Sequence, residues 1–128
     1  MNNTLPRSSI LRGRKAFFEV LSGGRVFLSR PVRTYYILEK AQFSNVQAGF
    51  TVSRSVRRAP DRNKLKRRMR ESYRLLSELL RSKLENGGQS LKIVFLYSED
   101  VENRARNTKF STITASIQQA VHHILSKL

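Results

Sequence analysis

With 128 residues the chain has the length of one domain, long enough to bury a core and too short for two ordinary ones. It carries 25 Lys and Arg against 9 Asp and Glu, a formal charge of +16, and self-repulsion on that scale points to a large polyanion, nucleic acid, as the normal partner. The absence of cysteine excludes a disulfide framework, a thiolate zinc site and a cysteine nucleophile, and two adjacent histidines do not reproduce metal-ligand spacing along a helix. Hydrophobic residues make up 39% of the chain, enough for a folded protein rather than a disordered basic tail.

The first 13 residues are polar and basic and predict a flexible arm, with the folded domain spanning 14–128. Arg7, Arg12, Arg14 and Lys15 precede the first acid, Glu19, in the charge style of an organelle transit peptide. The apolar residues that follow are better explained as part of a fold, and no apolar run has the length of a secretory signal or a membrane span. A cytoplasmic protein without a membrane partner is expected. Ala16, Phe17, Val20 and Leu21 recur at helical spacing until Gly23-Gly24, and periodicity alone makes Phe17 a core aromatic. Arg25 to Ser29 and Thr34 to Glu39 predict two short strands separated by a turn at Pro31, and Val46 to Ser53 predicts a third. In this third strand Phe50 and Val52 face one way and Gly49, Thr51 and Ser53 the other.

Ala59-Pro60-Asp61 opens a helix, with proline in the first turn and an acid at the positive end of the dipole. Leu65, Met69, Tyr73, Leu76, Leu80 and Leu84 return to one side until Asn86-Gly87-Gly88, so one long helix of about seven turns is expected. Leu91 to Tyr97 predicts a buried fourth strand, Ser98 to Arg106 a charged loop, and a final helix is expected from Asn107 or Thr108 with Phe110, Ile113, Ile117, Val121 and Ile124 on its core face. The element order is αβββαβα.

Nine of the 25 basic residues fall between Arg54 and Arg70, with Asp61 the only acid. A solvated helix face would interleave signs in i,i+4 pairs. Lys64 to Arg70 instead places five cations together, which favours polyanion binding over simple solubility. Asn63, Lys66, Arg67, Arg70 and Arg74 share a polar face beside the leucine stripe. Aromatic and small polar side chains on the sheet beside such a helix suit a single RNA strand better than duplex DNA.

The run Ala59-Pro60-Asp61-Arg62-Asn63-Lys64-Leu65-Lys66-Arg67-Arg68-Met69-Arg70 resembles the signature helix of the bacterial ribonuclease P protein subunit, A-x-x-R-N-R-x-K-R-x-x-R. Gly49-Phe50-Thr51-Val52-Ser53-Arg54 is similar to that family's third strand, and Phe17, Val20 and Gly24 to its first helix. The resemblance implies a single-domain α+β sandwich with a four-stranded mixed sheet and a left-handed βαβ crossover, of the ribosomal protein S5 domain 2-like kind. It also implies that Arg54, Arg62, Asn63, Lys64, Lys66, Arg67 and Arg70 contact a catalytic RNA and help to place metal ions near its cleavage site. Lys64 stands where the family usually has arginine, keeping the charge without the bidentate fork. A cleft for the single-stranded 5′ leader of precursor tRNA is implied at Phe17, Thr51 and Ser53 with either Tyr35 or Tyr36, and Leu21 replaces an aromatic common in relatives.

No general base or metal pair for phosphodiester hydrolysis stands out in the sequence. Glu99, Asp100 and Glu102 share a loop with Arg104 and Arg106, and His122 and His123 point to different faces of a helix. No catalytic residue, protein-held metal or small-molecule substrate is therefore expected. The resemblance places the Mg2+-dependent cut on the RNA, with the protein as an accessory subunit of the endonuclease. A structural RNA-binding protein of ribosomal or assembly type is the alternative.

Overall fold

The computed structural model describes residues 5–85, 87–98 and 109–128. Helix α1 (Arg14–Gly23) leads into strands β1 (Arg25–Ser29), β2 (Val32–Lys40) and β3 (Asn45–Val52), followed by α2 (Ala59–Arg74), α3 (Ser77–Leu84), β4 (Gln89–Tyr97) and α4 (Phe110–Lys127). The strands form one mixed sheet in the order β1-β2-β4-β3. β1 pairs with β2 and β2 with β4 in antiparallel fashion, while β3 and β4 run parallel. That parallel pair requires a crossover, supplied by α2 and α3. Asn86, the charged stretch 99–106 and the expected helix start at Asn107 or Thr108 lie outside the described residues.

Alternation along the strands divides the sheet into two unequal faces. Val46, Ala48, Phe50 and Val52 of β3 and Leu91, Ile93, Phe95 and Tyr97 of β4 bury against Leu65, Met69 and Tyr73 of α2 and Ile113, Ile117 and Val121 of α4. Phe50, Tyr73 and Phe95 form an aromatic cluster with ring centroids 5.3–5.9 Å apart. At the far edge, the Ser116 hydroxyl accepts from the Val32 N–H at 3.2 Å and meets the Ser29 hydroxyl at 3.1 Å, pinning α4 to the β1–β2 end. The opposite face holds a smaller cluster of Leu11, Val20 and Val94, with Phe17, Tyr35 and Ile37 packed against it. Among the described residues no helix is long and apolar enough to cross a membrane.

Two sequence expectations change. The long helix is broken after Arg74: the Ser77 hydroxyl donates to the Arg74 carbonyl at 2.9 Å, and the Leu76 N–H tightens onto Tyr73 O at 2.8 Å. These local bonds compete with the i→i−4 ladder, leaving Leu75 at 62% exposure while Leu80 and Leu84 stay buried. The described part of the N-terminal arm, residues 5–13, is docked. The Leu11 N–H donates to Ala48 O at 2.9 Å, covering the otherwise bare edge of β3. Leu5 joins the larger core and Leu11 the smaller, so the arm contributes one buried leucine to each apolar cluster.

Leu11→Ala should therefore destabilise the fold by about 2–5 kcal/mol, as a buried leucine would and a flexible arm would not, read from the urea midpoint. Burial raises the Tyr73 phenol well above its ordinary range, with the opposing Arg81 charge the smaller effect. A group whose folded-state pKa is raised contributes stability that is complete below its unfolded value. Alkaline denaturation should thus steepen above about pH 10, and a Tyr73→Phe variant should lose this steepening.

Candidate nucleic-acid interface

Pro60 and Asp61 lie in the first turn of α2, and the apolar spacing of Leu65, Met69 and Tyr73 turns one side of the helix into the core. The side left to solvent carries Asn63, Lys64, Arg67 and Arg70, all exposed, with Lys66 half-buried at its margin. Among the described residues no carboxylate lies within 4.0 Å of Lys64, Lys66, Arg67 or Arg70; the acids near α2 pair at its two ends, Asp61 with Arg58 and Glu71 with Arg74. Hydrogen bonds from Arg74 hold the Glu71 carboxyl below the usual carboxylate range. Arg70 leans toward β3, its guanidinium carbon 5.9 Å from the centre of the Phe50 ring. On the α4 side, Lys64, Arg67, Arg68 and Glu71 line a shallow groove with the exposed ring of Phe110. The ridge of cations expected from the sequence is thus assembled on a single rigid element, and Arg54 stands exposed just after β3.

Arg62 behaves differently from its neighbours. Its guanidinium donates to the carbonyls of Ser53 at 2.8 Å, Val56 at 2.9 Å and Val52 at 3.0 Å. These bonds make a clamp on the backbone, tying the end of β3 and the following turn to the first turn of α2. A planar fork with five N–H donors suits three converging carbonyls, which a lysine ammonium would satisfy less well.

The second surface lies on the sheet face that α1 crosses. Phe17 packs directly over Gly49, where an added Cβ would fall 2.4 Å from the ring's Cζ, so the absence of a side chain at position 49 is what admits the ring. Tyr35 shares this face with Phe17, whereas Tyr36 points into the main core, 5% exposed, its hydroxyl 3.4 Å from His123 Nε2. Of the two tyrosines, Tyr35 is the one on the Phe17 face. His123 is packed rather than free, stacking on Phe27 with ring centroids 4.4 Å apart.

Thr51 extends the same face of β3 and Ser53 follows the strand's end, both half-buried, and the Ser53 hydroxyl lies 3.0 Å from that of Ser55. Register adds residues that the sequence reading missed. Thr51 pairs with Leu96, Leu96 with Arg33 and Arg33 with Leu28, while Tyr35 pairs with Val26. Val26 and Leu28 are 51% and 63% exposed, and Arg33 Nη1 donates to the Tyr35 hydroxyl at 3.5 Å. Alternation outward from Tyr35 is the signal that would have found Arg33. The cleft therefore presents aromatic rings, apolar floor, small hydroxyls and one cation, the mixture that accommodates bases and phosphates of a single strand.

Two substitutions separate the ridge from its clamp. Arg62→Ala should cost about 1.5–3 kcal/mol of stability, since carbonyls lose charge-assisted donors, whereas Arg67→Ala should stay within about 0.5 kcal/mol; urea unfolding of both checks this. Gly49→Ala should displace Phe17 and destabilise by about 1–3 kcal/mol, measured in the same way.

Residues 5–125 match the family model described as Ribonuclease P. The ribonuclease P protein component of Chlorobaculum tepidum is 40% identical, over 74% of this chain and 68% of that protein. That of Caldanaerobacter subterraneus is 28% identical, over 85% and 83%. Among solved structures, the RNase P protein of Thermotoga maritima superposes with a TM-score of 0.66 at 21% identity, covering 88% of this chain and 94% of that one. A mutant RNase P protein of Staphylococcus aureus gives 0.66 at 17% identity, covering 92% and 89%. With residues 5–125 matched and the fold shared, the chain belongs to the ribonuclease P protein family.

Proposed function

We propose that this chain is the protein subunit of a ribonuclease P ribonucleoprotein, binding the catalytic RNA through the α2 ridge and the 5′ leader of precursor tRNA in the cleft beneath α1. The observation that carries this reading is the placement of unpaired cations on α2 beside a cleft of aromatic and small polar side chains, joined at the end of β3. Solvation alone would not require cations to be concentrated without acids, and a purely structural RNA-binding protein would need charge but no cleft.

The protein's contribution is orientation and screening. Holding the leader while neutralising phosphate repulsion lowers the barrier to cleavage by several kcal/mol without any protein group transferring a proton. Among the described residues no three His, Asp or Glu side chains converge to hold a metal ion, and the acids Glu99, Asp100 and Glu102 lie outside those residues. In this reading Mg2+ belongs to the RNA. The same reading makes the chain part of an endoribonuclease that leaves a 5′-phosphate on mature tRNA.

Mixing the protein with a ribonuclease P RNA and precursor tRNA at low Mg2+ should restore 5′ cleavage that the RNA alone performs poorly, while the protein alone leaves the precursor intact. Absence of rescue would favour the structural RNA-binding alternative, and cleavage by protein alone would indicate a nuclease centre on the chain. Within this assay Arg67→Ala and Arg70→Ala should each weaken affinity for the catalytic RNA about tenfold, the loss of roughly one charge-assisted contact. Arg81→Ala, on α3 and paired with Glu78, should change it less than about twofold.

A further inference from the structure

Helix α4 begins with a phenylalanine that the core does not take. Phe110 heads the apolar stripe of this helix, yet it keeps 41% of its surface exposed while Ile113, Ile117, Val121 and Ile124 keep none. A contact between two helices fixes its place: the hydroxyls of Ser72 on α2 and Thr114 on α4 lie 2.8 Å apart. One turn back from that contact on each helix, Arg68 and Phe110 line a common groove of about 260 Å3, bounded also by Lys64, Arg67 and Glu71. The four α2 residues follow the spacing i, i+3, i+4, i+7, which is one side of a helix.

An exposed apolar side chain standing alone is ordinary, and Phe43 at 76% asks for no ligand. Phe110 differs because three cations share its groove. The acid at the end of the stripe, Glu71, is already compensated: Arg74 donates to it from Nε at 3.0 Å and again from Nη2. Among the described residues the Phe110 ring stacks on no other ring. A groove with a positive rim and an aromatic wall suits a ligand that is planar and apolar on its faces and negative on either side. An unpaired nucleotide has that form, its base able to stack and its flanking phosphates to meet the cations.

We infer that this groove takes one unpaired nucleotide of the catalytic RNA, its base stacked on Phe110 and its phosphates on Lys64 and Arg67. The inference rests on the reading of the chain as an RNA-binding subunit and adds that the ridge grips an extruded base as well as the backbone. The catalytic RNA is the occupant because Lys64 and Arg67 belong to the ridge assigned to it. The groove lies between α2 and α4, on one face of the sheet, whereas the leader cleft lies on the other, beneath α1. Pockets that enclose small molecules hold about 300–1,000 Å3; this smaller, shallow groove leaves room for a single ring system rather than a duplex.

The test uses the full chain and the catalytic RNA. Phe110→Ala should raise Kd about tenfold at every salt concentration and leave the log–log salt slope unchanged, because stacking releases no counterion. Phe110→Trp should bind as the wild type does, and Phe110→Leu, apolar but without a π face, should stay weak. The chain has no tryptophan, so Phe110→Trp also supplies a single fluorophore, whose emission should be quenched when the RNA binds. Phe43→Trp, exposed in the turn before β3 and so at the strand end away from α2, should keep its emission. Urea midpoints establish that each variant folds, and the contrast between Phe110→Leu and Phe110→Trp decides alone if Phe110→Ala does not. Wild-type affinity in Phe110→Ala, full rescue by Phe110→Leu, or quenching only after precursor tRNA is added would overturn the inference. A wild-type protein that does not bind the catalytic RNA would instead overturn the underlying reading, an outcome visible before any variant is made.

Discussion

The guanidinium of Arg62, shared among the carbonyls of Val52, Ser53 and Val56, joins the cleft to the cationic ridge. β3 carries Thr51 on the cleft face and Phe50 and Val52 in the core, Ser53 follows its end, and α2 must leave that end at a fixed angle for Lys64, Arg67 and Arg70 to stand beside the cleft. Backbone carbonyls at the end of an edge strand need donors if they are not to be left unsatisfied. Meeting three of them with one planar side chain fixes the turn, and the relation between the two surfaces follows from that clamp.

Concentrated charge has a cost that the core must offset. Lys64, Lys66, Arg67 and Arg70 repel one another along α2, and Leu65, Met69 and Tyr73 on the opposite side hold the helix in place against that repulsion. A polyanion seated on the ridge would remove the repulsion and favour the folded state by mass action. The ridge is electrostatically incomplete until a polyanion neutralises it.

The sheet and most of the helices were legible because each has a clear period: alternation in β3, a continuous apolar run in β4, and 3.6-residue spacing in α2 and α4. What escaped depended on side chains acting at a distance or on local competition. Ser77 breaks the long helix through a single hydroxyl, although the leucine spacing continues across the break. The docking of Leu5 and Leu11 required knowing that β3 is an edge strand with a bare side to cover. Tyr35 and Tyr36 differ only in parity, which register decides. In the candidate site, the motif located the ridge, but the division of labour within it, Arg62 inward and Arg67 outward, depends on where three carbonyls point.

The central claim is that an array of unpaired cations on α2 exists to neutralise RNA phosphates, and the dependence of catalytic-RNA affinity on salt concentration measures this most directly. If Lys64, Lys66, Arg67 and Arg70 each release a counterion, log Kd should rise with log salt at a slope of about 3. A slope near zero, with affinity insensitive to salt, would contradict the account.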